Sequence, residues 1–186
     1  MPVDGNQRSR AIAVRDMQPI LDDIERALTA ELFYVAVATA LALPDVCGAL
    51  EASNGTATRE RYKQWWRKWL GSKYAFHTED DVWSLRCGVV HNGSFGHRNS
   101  QFDRVVFHLP SPQVYWHNTL FKNCSDTGVT VLVLNPVTFC NDMVEAAAQW
   151  LVANEHDPNV RKNIARVVQS RIDGFPPCFS GVPVIA

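Results

Sequence analysis

The chain has almost no net charge. Its 18 Lys and Arg stand against 19 Asp and Glu, a formal −1 at pH 7. No overall field draws it to nucleic acid, and any affinity for a polyanion must come from a local patch. Paired cysteines are also missing. Cys47, Cys87, Cys124, Cys140 and Cys178 are odd in number and scattered, with no CxxC pair. That argues against a disulfide framework and against a zinc site, and it fits reduced thiols in a cytoplasmic protein. The most apolar run, Leu32 to Leu43, follows Glu31 and is too short to cross a bilayer. The opening MPVDGNQRSR lacks the layout of a signal peptide. Repeats and low-complexity segments are absent. The expectation is therefore a protein with no membrane contact, no metal and no cofactor.

What remains is an ordinary globular composition, with 46% hydrophobic and 20% charged residues over 186 positions. It suits a single domain over 1–186, with a flexible leader at 1–12 and an extended tail at 174–186 packed on the body. Apolar positions at three- and four-residue steps predict one helix from about Arg15 to Ala42, interrupted at Pro44. A shorter helical piece to Ala52 and a loop at Ser53–Thr56 follow. The next helix, Thr58 to Leu70, sets Tyr62, Trp65, Trp66 and Trp69 on one face and Arg59, Lys63 and Arg67 on another. Thr78 with Glu79, Asp80 and Asp81 reads as the capped start of a helix that exits at Asn92-Gly93. Within 104–134 the β-branched and aromatic runs Arg104–Leu109, Val114–His117 and Val129–Leu134 predict a small antiparallel sheet inserted between helices. Asn135-Pro136 and Asp157-Pro158 start two more helices, the last reaching Ile172. The fold class is mainly α with a small antiparallel β insertion.

One segment carries candidate chemistry. Ser84 to Ser94 reads SLRCGVVHNGS, which places Arg86, always charged, five residues before His91, which titrates near neutral pH. A fixed cation beside a proton-transfer group is what metal-free phosphodiester cleavage requires. On a regular helix, however, residues five apart lie about 140° apart. Arg86 and His91 can share a site only if the arginine reaches round, the helix unwinds near Gly88 or Gly93, or a second chain completes the site. The competing reading makes Arg86 a helix arginine with a buried carboxylate partner and His91 a C-terminal residue favoured by the helix dipole. Asn92 could bind phosphate or orient the imidazole, or could serve only as a helix exit. Asp45 could pair with Arg86 or cap the short helix after Pro44, with capping the favoured role. Cys87 and His91 also have the i, i+4 spacing of an activated thiol, but no third orienting group accompanies them.

The same motif resembles that of a known family. Arg86 and His91 match the Arg-x4-6-His motif of HEPN-domain ribonucleases. The LPDVCGALE run from Leu43 to Glu51, the RERYKQWW run from Arg59 to Trp66 and FCNDM from Phe139 to Met143 resemble a HEPN-like group, so the similarity spans about Leu43 to Trp150. The resemblance implies a HEPN-like helical bundle, a homodimer, and RNA cleavage in a cleft shared by two copies, in a toxin–antitoxin or phage-defence setting with an antitoxin protein as partner. Under it, Arg86 clamps phosphate, His91 moves a proton and Asn92 assists. This chain carries Cys87 where many members have a polar residue directly after the arginine, which keeps open a catalytically silent module that binds RNA, nucleotide or a partner protein.

An RNA-binding surface is expected elsewhere on the chain. Between Arg59 and Lys73 six basic residues face one acidic residue, Glu60, with four aromatics interleaved. Arg59, Lys63, Arg67 and Lys68 are the candidate RNA contacts; a solvated charged face is the competing account. His77, His97, His108, His117 and His156 show no metal spacing and are expected on the surface or in strands.

Overall fold

A computed structural model describes residues 5–95, 101–124 and 128–186, with side chains described from residue 17 onward in the first segment. Helix α1 (Gly5–Thr29) begins inside the stretch expected as a leader, and residues 1–4 lie outside the described residues. The expected single helix from Arg15 to Ala42 is two helices. After α1 the chain turns through Glu31, whose φ is 57°. The Leu32 N–H returns to Ala27 O at 2.8 Å and the Glu31 N–H to Leu28 O at 3.0 Å. This is the left-handed helix stop normally made with glycine, here held by a glutamate.

Helix α2 (Phe33–Glu51) then runs straight through Pro44, which the sequence had placed as a break. Proline removes one backbone hydrogen bond, but Pro44 is buried and its neighbours Leu41, Leu43 and Cys47 are fully enclosed. Packing on both sides of the proline keeps the helix whole. Because it continues to Glu51, α2 reaches 19 residues and is long and apolar enough to cross a membrane, so the argument from a short apolar run fails. Half of it is buried, packed against α1, α3 and α5.

Helix α3 (Arg59–Trp69) starts at Thr58, whose side chain accepts from the Arg61 N–H. Helix α4 (Glu79–Cys87) starts at Thr78 with a full capping box, Thr78 and Asp81 exchanging side-chain and backbone bonds. Tyr62 meets the edge of Trp83 at 5.2 Å, joining the two helices.

Strands β1 (Arg104–Phe107), β2 (Thr119–Cys124) and β3 (Val129–Leu134) form one sheet in the order β1-β3-β2. It is mixed, which corrects the antiparallel expectation. β1 runs parallel to β3, with Val105 opposite Leu132, and only β2 is antiparallel to it. Val114–His117 forms no strand; β2 lies just beyond it. Val105, Leu132 and Leu134 enter the common core, where Phe107 meets the edge of Phe139 at 5.6 Å.

Helix α5 (Pro136–Asn154) is capped by Asn135, and α6 (Pro158–Asn163) by Asp157. The last helix stops at Asn163 instead of reaching Ile172. A single tighter turn, Ile164–Arg166, leads to an extended Val167. Gln169 and Ala186 then exchange both backbone hydrogen bonds. The C-terminal segment pairs with itself, β4 (Ser170–Arg171) with β7 (Val184–Ile185) and β5 (Gly174–Phe175) with β6 (Phe179–Ser180). Phe179, Val182 and Ile185 stay exposed, so the tail is less packed on the body than expected.

Candidate site at the end of helix α4

The α-helical register fails where the motif lies. Directly after Cys87 the backbone widens into a π turn, Gly88–Asn92, closed by Gly93 in the left-handed region at φ 61°. The Gly93 N–H reaches Gly88 O, five residues back, and the Ser94 N–H reaches the same oxygen at 3.1 Å. An α-helix would have carried His91 about 140° from Arg86. The widened turn brings it round, and Arg86 Nη1 lies 3.3 Å from His91 Nε2. Such turns insert into helices mostly as single units and recur at functional sites.

A guanidinium can only donate, so in this contact Nε2 is the acceptor. An anion placed here could take the same guanidinium N–H in its stead.

Arg86 is held from two further sides. Its Nε donates to Asp45 Oδ2 at 2.8 Å, and its Cζ lies 5.3 Å from the centroid of the Trp83 ring. Burial raises the Asp45 carboxyl above its ordinary pKa, and the Arg86 charge offsets only part of that. Asp45 is mid-helix in α2 and caps nothing, which corrects the favoured role. Once Pro44 is tolerated inside the helix, Asp45 has no free N–H groups to serve. The Arg86 side chain is 21% exposed, and His91 and Asn92 are exposed. The imidazole side of the pair therefore faces solvent, while Arg86 is largely enclosed behind it. The His91 ring nitrogen contacts Arg86 and not Cys87.

Of the three motif residues, Arg86 and His91 meet, and Asn92 ends the π turn beside them. The basic face of α3 is placed differently. Arg59 and Lys63 both pair with Asp80, at 2.7 and 2.5 Å, and Arg67 pairs with Glu79. The acidic first turn of α4 thus compensates three of the four candidate RNA contacts, while Lys68 lies over the Trp69 ring at 5.0 Å. The face lies along a charge seam between two helices.

Sequence reasoning missed Tyr34, whose hydroxyl donates to Val89 O at 3.1 Å inside the π turn; nothing in the spacing links positions 34 and 89. It also misplaced His77, which is 6% exposed instead of lying on the surface, while His97 lies outside the described residues. Among the described residues no three His, Cys, Asp or Glu side chains gather into a metal-binding group. A groove of about 240 Å³ lined by Ile20, Val46, Leu50, Asn163, Arg166 and Val167 contains none of the motif residues.

No family model, curated protein or solved structure matches this chain. The mainly α architecture stands on the coordinates, and the chemistry of the site stands on its geometry.

Proposed function

We propose that this chain is a HEPN-type endoribonuclease that needs no metal ion, acting through Arg86 and His91 in a homodimer. The observation that carries the reading is the 3.3 Å approach of Arg86 Nη1 to His91 Nε2, made by the π turn. A phosphate that takes the guanidinium releases Nε2. In the proposed reaction the ribose 2′-oxygen bonds to phosphorus as the P–O5′ bond breaks, giving a 2′,3′-cyclic phosphate and a 5′-hydroxyl. One imidazole takes the 2′-hydroxyl proton, and a second, protonated imidazole supplies the proton for the leaving oxygen. Arg86 neutralises charge that builds on the phosphorus-bound oxygens.

A single chain brings one motif histidine to this site, so two proton-transfer groups call for a second copy related by symmetry. Two features support that. His91 and Asn92 are exposed, and two exposed apolar side chains belong to the same turn or bond to it: Val90 at 49%, next to His91 in the chain, and Tyr34 at 48%, bonded to Val89 O. A facing copy would bury these and wall the cleft.

A second reading has its own observation. Asp45 already occupies Arg86 Nε, and Cys87 follows the arginine. Both suit a HEPN-like module that binds RNA, nucleotide or a partner protein without cutting.

The test uses end-labelled RNA in EDTA with the wild-type chain, Arg86→Ala and His91→Ala. Cleavage to 2′,3′-cyclic phosphate ends, lost in both variants, is the expected result. RNA binding without cleavage, indifferent to both substitutions, would support the silent module instead.

A further inference from the structure

We infer that Tyr34 is a positioning residue of the site, its phenol selecting the π register of Gly88–Asn92 that brings His91 to Arg86. The inference rests on the reading of Arg86 and His91 given above and assigns a cause to their approach.

The cause is a competition for one carbonyl. In an α register Val89 O would accept the Gly93 N–H four residues on. In the π turn that N–H goes to Gly88 O, and so does the Ser94 N–H. Val89 is 2% exposed, so its carbonyl loses its helix partner in a place poor in solvent, where an unmet acceptor is costly. Tyr34 Oη, from the first turn of α2, fills that position at 3.1 Å.

The phenol is itself held in place. Its ring packs on Phe95 with centroids 5.9 Å apart, Phe95 on Phe107 at 4.8 Å, and Phe107 on Phe139 at 5.6 Å. A row of rings from the core thus directs a hydroxyl on a side chain that is itself 48% exposed. Without that hydroxyl, the donor an α register would offer Val89 O is the Gly93 N–H. Taking it restores the α register and swings His91 away from the guanidinium. The Tyr34 hydroxyl bonds to a backbone carbonyl and not to Arg86 or His91, so it acts through the backbone.

Tyr34→Phe in the full chain removes the hydroxyl and keeps the ring on Phe95. Two readouts follow His91 independently of activity: the ¹⁵N resonance of its Nε2, and hydrogen exchange of the Gly93 and Ser94 amides. One hydrogen bond shifts the balance between registers roughly 3- to 10-fold. The expected result is an Nε2 signal moved toward that of a free imidazole, altered exchange at both amides, and a matching fall in kcat for RNA with little change in KM or Tm. Tyr115→Phe, which removes a phenol bonded to Thr138 in another part of the fold, leaves all of these unchanged. If Tyr34→Phe leaves the His91 signal and both amides at their wild-type values, the inference is overturned, whether or not RNA is cut. If wild-type protein never cuts RNA yet Tyr34→Phe moves the His91 signal, the nuclease reading fails and the positioning role stands.

Discussion

Acidification from pH 7 to pH 4.5 is expected to destabilise this protein through one histidine outside the motif. His77 is 6% exposed. It is packed by Trp66, Tyr74 and Phe102 at centroid distances of 6.0, 5.6 and 5.8 Å. Neither ring nitrogen has a hydrogen-bond partner among the described residues. Burial pushes its pKa from 6.5 down to about 4; Asp81 pulls it back in part, and His117 adds to the depression. Between these two values the unfolded chain binds a proton that the folded chain refuses. Stability from this group is therefore full above pH 6.5, is lost as pH falls toward 4, and changes no further below that. At 1.36 kcal/mol per pH unit the whole span amounts to about 3 kcal/mol. The assay is urea unfolding in steps from pH 7 to 4.5 for wild type and His77→Phe, which keeps a planar ring among the same aromatics. Taking the difference between the two chains cancels the titrating groups that do not interact with His77. Asp45 is one of them and acts in the opposite sense, because its raised carboxyl pKa makes stability fall as pH rises through its window. Wild type should lose most of those ~3 kcal/mol relative to His77→Phe. A difference that stays flat across the range would refute the buried neutral imidazole.

Three further outcomes follow from the geometry. Asp45→Ala leaves the largely enclosed Arg86 guanidinium without its carboxylate and should cost about 2 kcal/mol in chemical unfolding; no loss would mean the pair contributes nothing. Gly93→Ala places a Cβ that meets nothing within 4 Å, so its cost is the left-handed backbone alone, about 1–2 kcal/mol. That should appear as a fall in Tm of a few degrees, with Gly93→Asn intermediate. Thr78→Ala removes the capping box of α4 and should cost about 1 kcal/mol, read as lowered helix content on mild heating.

Much of the helical part was legible because cap chemistry is local. Thr58, Thr78, Asn135 and Asp157 each accept from an N–H two or three residues onward, and the side chains that do so are visible in the sequence. The misses arose where tertiary contacts decided. Glu31 takes a conformation that pattern reading reserves for glycine, so the break between α1 and α2 was invisible. Pro44 reads as a stop, yet buried packing on both sides carries the helix past it. The parallel pairing of β1 with β3 joins segments separated by β2, and no local pattern specifies it. At the site, the spacing of Arg86 and His91 posed the geometric problem, and Gly88 and Gly93 marked where the helix would have to give. The carbonyl competition that makes it give depends on Tyr34, which is far away in sequence. The basic run of α3 was visible, but its carboxylate partners on α4 were not paired with it from sequence alone.

The central claim is that Arg86 and His91 together cleave RNA by way of the ribose 2′-hydroxyl. The most direct measurement incubates purified wild-type protein in EDTA with a single-stranded RNA and with the same sequence carrying 2′-deoxyribose throughout, and identifies the product ends by mass. The account predicts 2′,3′-cyclic phosphate and 5′-hydroxyl ends from the RNA and an intact deoxy strand. Equal cutting of both strands, or of neither, would contradict it.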